Sequence, residues 1–98
     1  MDIKIQPIHF KATEKLEEHI NKKVSKLEKL NDQIINVDVT LKVVKPETSN
    51  NKEAGIKVKV PNAEFYAEKV ADSFEEAVDT ALLALEKQIT KSKEKSRD

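Results

Sequence analysis

SFEEAVDTALLALEKQITK, residues Ser73–Lys91, carries its apolar side chains on a single helical stripe. Phe74, Val78, Ala81, Leu82, Leu85 and Ile89 fall at i, i+4, i+7, i+8, i+11 and i+15, the spacing of one buried face on a 3.6-residue period. Ser73 with Glu76 three residues on is a capping box, which satisfies backbone N–H groups that the first turn leaves free. At about 1.5 Å per residue this helix is roughly 28 Å long, enough to cross a small sheet. Its charge is sorted. Ser73–Glu86 holds four acids and no bases, whereas Lys87–Asp98 holds five bases and two acids. Such sorting suits the dipole of any helix. It also offers a basic end to an anionic partner, and both readings stand at this point.

Working outward, the whole chain has 98 residues, one small domain's worth. Its 18 bases and 18 acids cancel. A strongly basic nucleic-acid binder is therefore excluded, and any anion-binding role must rest on local segregation of charge. Apolar residues make up 38%, below the usual ~45–50%, so stability is expected to be modest. Their tight periodicity argues against wholesale disorder. With no cysteine there is no disulfide framework, thiolate nucleophile or Cys-based metal site. No apolar run has the length of a signal peptide core or a membrane span, which makes the cytoplasm the expected location. A single glycine cannot build a Gly-rich phosphate loop.

Upstream, Asp2–Phe10 begins by alternating, with Ile3 and Ile5 on one face and Lys4 and Gln6 on the other; Pro7 makes this an edge strand or ends it. Thr13 is a good N-cap for a first helix whose stripe is Leu16, Ile20, Val24, Leu27 and Leu30, with Asn31–Asp32 as the stop. On a helical wheel Lys15, Lys22, Lys26 and Lys29 cluster within about 60° at 100° per residue. Glu14, Glu17 and Glu28 lie mostly on the opposite flank, and Lys23 sits at the border of the apolar stripe, where its stem can cover the core. Ile35, Val37, Val39, Leu41 and Val43 alternate with polar residues and give the strongest strand signal. Lys45–Glu53 is a polar loop, Ile56–Val60 a third strand, Pro61–Asn62 a turn, and Phe65–Glu68 a short fourth strand.

The order β-α-β-β-β-α, with short connections after the second strand, predicts an α+β two-layer sandwich. A four-stranded sheet, its last three strands an antiparallel meander, carries both helices on one face. The helices then expose their outward sides together, and the Lys22–Lys29 and Lys87–Lys95 rows form a basic platform. Residues 1–91 make one domain, and 92–98, beyond the apolar stripe, are expected to be a basic, flexible tail.

Catalytic constellations are missing from the pattern. His9 and His19 have no cysteine and no metal-ligand spacing around them. Glu14, Glu17, Glu75 and Glu76 have solvation, capping or dipole roles. Phe65 and Tyr66 share a strand, but the pattern of a base-stacking RRM sheet is absent. An enzyme is not expected, nor are a metal, a cofactor or a small-molecule substrate.

The element order with basic helices resembles a double-stranded-RNA-binding domain with a strand added in front. The chain more specifically resembles the short form of the ribosome hibernation promoting factor family, which includes the ribosome-associated inhibitor (sigma-54 modulation) proteins. The residues that carry this are the first strand and the helix opening at Thr13, KLEKL at Lys26–Leu30, the Pro61–Asn62 turn, Asp72–Ser73 with Ala77 and Val78 behind it, and LEKQITK at Leu85–Lys91. The resemblance implies a translation-regulating, stress-response protein that binds 16S rRNA in the decoding channel of the small ribosomal subunit and blocks mRNA and A- and P-site tRNA. By position it implies rRNA contacts at Lys23, Lys26, Lys29, Lys87 and Lys91; the wheel and the tail add Lys22, Lys93 and Lys95. A free monomer that does not pair ribosomes by itself is expected. The alternative is a protein–protein module of the same fold, recruiting its partner through the sheet edge or the acidic helix flank.

Overall fold

The computed structural model describes residues 1–45 and 49–95, with side chains up to Ser92. The elements are β1 (Asp2–Pro7), α1 (Glu14–Ser25), β2 (Asn36–Val43), β3 (Lys52–Val60), β4 (Ala63–Ala71) and α2 (Phe74–Lys95). The sheet order is β1-β2-β3-β4. β1 runs parallel to β2, a pairing that needs a long crossover, which α1 supplies. β2, β3 and β4 form the expected antiparallel meander. The register lines up apolar residues in rows across the sheet: Ile5, Val39, Ile56 and Ala67 in one, Ile3, Val37, Val58 and Phe65 in the next. Both helices pack on that face, which makes the predicted two-layer α+β sandwich. Ile20 and Val24 of α1 meet Val78, Ala81 and Leu85 of α2 and the strand residues in one core from which solvent is fully excluded.

β1 stops at Pro7 rather than running to Phe10. Pro7 brings no N–H to a ladder, and His9 adopts a left-handed conformation (φ 65°) that turns the chain away. The turn delivers Phe10 onto Phe74, ring centroids 5.0 Å apart and nearly parallel, which ties the crossover to the start of α2.

The Thr13 hydroxyl accepts from the Leu16 N–H at 3.1 Å and caps α1 as its sequence indicates. The expected single helix to Leu30 is instead an α-helix to Ser25 followed by a 3₁₀ turn over Lys26–Lys29. Ser25 Oγ donates back to the Asn21 carbonyl at 2.6 Å, the kind of side-chain bond that competes with the helical ladder. The tighter winding still buries Leu27, and it brings Lys26 and Lys29 onto one face, because residues three apart eclipse in a 3₁₀ turn.

β3 and β4 are each nine residues long, longer than the alternating Ile, Val and Phe indicate. The extra length is carried on the core side by Ala54 and Ala71, small residues that give a weak strand signal but are fully or nearly buried. β3 therefore begins at Lys52, inside the expected Lys45–Glu53 loop; residues 46–48 of that loop lie outside the described residues. Val60 pairs with Ala63 across Pro61–Asn62, and neither Asn62 nor Ala63 has positive φ, so the turn needs no glycine.

At the start of α2, Ser73 Oγ accepts from the Glu76 N–H at 3.1 Å. The helix continues to Lys95, past Lys91, where the packed domain was expected to end; residues 96–98 of the expected tail lie outside the described residues.

Candidate nucleic-acid interface

The outward side of the two helices is assembled along their seam. His19 Nε2 donates to Asp79 Oδ1 at 3.0 Å and pins α1 to α2. Beyond that bond Lys23 and Lys26 face Asp79, Leu82, Leu83 and Glu86 across a groove of about 260 Å³. Lys23 is half-buried, as its border position on the wheel indicates, and Lys26 is exposed. Leu83 and Glu86 also line the neighbouring hollow, of about 540 Å³, with Leu30, Lys87, Thr90 and Lys91.

The seam thus gathers Lys23 and Lys26 on one hollow and Lys87 and Lys91 on the next, the two sharing Leu83 and Glu86. Lys22 and Lys29 are exposed on the chain around α1 and line neither hollow. The side chains of Lys93 and Lys95 lie outside the described residues, although their backbone continues α2. Among the described residues, Lys22, Lys23, Lys26, Lys29, Lys87 and Lys91 have no acidic partner within ion-pair distance. They are charges held on a rigid surface and not used by the fold.

The seam is not purely basic. Asp79 and Glu86 line it from α2, and Leu83, which lines both hollows, has 59% of its surface exposed, the most of any large apolar residue described. A reading that follows charge rows alone overlooks these residues. A signal was present, because Leu82 and Leu83 are adjacent and only one of them can face the core. At 100° per residue Leu83 lies about 150° from the centre of the apolar stripe.

The opposite side of the sheet has another character. Lys4, Gln6, Asp38, Thr40, Gly55, Lys57 and Tyr66 line a shallow depression in which the signs alternate. Tyr66 Oη donates to Glu68 Oε2 at 2.7 Å. That bond, with burial and the carboxylates of Glu68 and Glu53, pushes the phenol up to about 12. The same bond, together with the charge of Lys42, holds Glu68 below the usual carboxylate range. Lys42 Nζ pairs with Glu53 at 3.1 Å beside them. Lys42, Glu53, Tyr66 and Glu68 are thus committed to one another, whereas Lys57 and Lys59 on the same face are exposed.

Among the described residues no group of three His, Asp or Glu could hold a metal ion, and no helix is long and apolar enough to cross a membrane. The class so defined is a double-stranded-RNA-binding-domain-like α+β sandwich with lysines gathered along its helical seam. Residues 3–97 match the profile of the sigma-54 modulation protein / S30EA ribosomal protein family, and the chain belongs to that family of ribosome-associated factors, as its sequence resemblance implies. Among curated proteins no sequence match is significant. Similar solved structures include the following two. A ribosomal subunit interface protein from Coxiella burnetii superposes with a TM-score of 0.85 at 25% identity, over 95% of this chain and 98% of that one. The Protein Y N-terminal domain from Thermus thermophilus superposes at 0.79 with 23% identity, over 93% and 98%.

Proposed function

We propose that this protein binds 16S rRNA in the decoding channel of the small ribosomal subunit and blocks the path of mRNA and of A- and P-site tRNA, so that stored ribosomes stay idle. The observation that carries the reading is the set of lysines without acidic partners, among the described residues, on the helical face of a ribosome-associated family member. Lys23, Lys26, Lys87 and Lys91 ring the seam, Lys22 and Lys29 flank it, and Lys93 and Lys95 continue the α2 row in the sequence. Point charges on a rigid face suit phosphate oxygens and fix position on an RNA without reading its bases. The likeness to a ribosomal subunit interface protein supports a site on the ribosome. In this reading the protein acts in the cytoplasm as a monomer and catalyses no reaction.

The test is co-sedimentation of the purified protein with small subunits across a salt series, with and without mRNA and tRNA. Binding that falls steeply as salt rises, and that mRNA or tRNA displaces, is expected, because every phosphate contact releases counterions. Replacing Lys26 and Lys29 with Glu should abolish it. Binding that this double variant leaves unchanged overturns the lysine face. Absence of co-sedimentation even at low salt leaves a shared fold without the shared site.

A further inference from the structure

A face that only met phosphates would have no use for Leu83. It is the most exposed large apolar residue described, and it stands on the very surface where the lysines gather. On α2 it precedes Lys87 and Lys91 by four and eight residues, so the three lie along one exposed row, about 6 Å apart at 1.5 Å per residue. Leu30, half-buried at the end of the 3₁₀ turn, forms the facing wall. Between them lies the 540 Å³ hollow, with the Glu86 carboxylate and the Thr90 hydroxyl on its sides.

We infer that this hollow receives one unstacked nucleotide of single-stranded RNA. The base lies against Leu83 and Leu30, and its flanking phosphates sit on Lys87 and Lys91. The charge pattern selects this occupant. Lys87 and Lys91 line the hollow and offer two cations to a backbone. An acid and a hydroxyl line its side, where a phosphate would be repelled but an exocyclic amine or a ribose 2′-hydroxyl finds acceptors. Leu83 and Leu30 add an apolar surface, which suits a base or sugar face and not a phosphate. An acidic peptide would bring its charges against Glu86. Single-stranded RNA recognition splays bases out against side chains, most often aromatic ones; here the contact is aliphatic, from Leu83 and Leu30. The inference deepens the rRNA-binding reading and rests on it.

Because the chain has no cysteine, Leu83→Cys gives a single attachment point for a benzophenone photo-crosslinker, and the position is exposed enough to carry one without disturbing the core. The labelled protein is irradiated on purified small subunits, alongside affinity measurements for Leu83→Ser and Leu83→Met. The expected result is a crosslink to 16S rRNA at a nucleotide outside base-paired helices. Leu83→Ser should bind roughly tenfold more weakly with the salt slope unchanged, and Leu83→Met should keep wild-type affinity, since contact with a base face adds affinity without releasing counterions. A crosslink only to ribosomal protein, a crosslink within duplex rRNA, or a Leu83→Ser variant that binds as tightly as wild type overturns the nucleotide pocket. If unlabelled wild-type protein fails to sediment with small subunits at all, the rRNA-binding reading falls, and this inference with it.

Discussion

At the scale of single residues the sheet's outer face shows how one tyrosine and one glycine depend on each other. A Cβ built on Gly55 would stand 2.6 Å from Tyr66 Oη, so the absence of a side chain there is what lets the ring lie across the strand and reach Glu68. The chain has one tyrosine, so its ultraviolet titration reads this phenol alone. The midpoint should lie near pH 12 rather than 10, chiefly because Glu68 accepts its proton. Glu68→Gln should bring it back toward 10; a midpoint of 10 in the folded wild type would contradict the pairing. The linkage has two signs. Tyr66, raised above its unfolded value, contributes stability that is fully present below pH 10 and lost as the pH climbs through about 12. Glu68, depressed, contributes stability that is present above its ordinary value of 4.5 and lost as the pH falls through the lower folded value. Gly55→Ala should leave the protein folded, because the atom it meets is the far end of a side chain that can swing outward. Its signature is a phenol midpoint lowered toward 10, with stability within about 1 kcal/mol of wild type; an unmoved midpoint would show that the ring does not lie over Gly55.

At the scale of elements, two leucines two positions apart on α2 separate fold from surface. Leu85 is fully enclosed, and Leu85→Ala should cost about 3 kcal/mol in urea unfolding. Leu83→Ala should stay within about 0.5 kcal/mol, since its side chain is mostly in solvent. Equal losses at the two positions would mean that the phase of α2 is wrong. Thr13→Ala removes the acceptor at Leu16 N–H and should cost about 1 kcal/mol with the denaturant slope unchanged. These elements were legible because period and caps are local signals: the phase of α2 follows from Phe74 to Ile89, and Thr13 and Ser73 cap where their side chains indicate. What escaped was decided by neighbours. Ala54 and Ala71 belong to strands because partner strands pair with them, while an alanine in isolation favours no strand. The tightening after Ser25 depends on one hydroxyl choosing the Asn21 carbonyl, which no periodicity reports. Helix α2 runs past its apolar stripe because nothing from Lys91 to Lys95 is a helix breaker.

For the whole molecule the governing quantity is where charge sits, since the total is zero. The lysine rows could be read from the sequence because helical phase orders side chains within one element. The acids that share their groove could not, because Asp79 and Glu86 reach Lys23 and Lys26 only once α1 and α2 lie side by side, and the His19–Asp79 bond that fixes the seam joins residues far apart in the chain. A net charge of zero makes a sharp comparison possible. Replacing Lys87 and Lys91 with Gln, or replacing Lys57 and Lys59 with Gln, removes the same two charges from the same neutral chain. The first pair is on the helical face; the second is exposed on the outer side of β3, with the sheet between it and the helices. If binding followed overall charge, the two variants would weaken it alike. If it follows position, the helical pair should lose most of its affinity for small subunits, and the slope of log K against log salt should shrink by about 0.7 for each lost phosphate contact. The sheet pair should then retain both affinity and slope. Equal losses would return the question to long-range attraction. A loss confined to the sheet pair would turn the molecule around, with Tyr66 and its neighbours facing the RNA and the helices facing solvent.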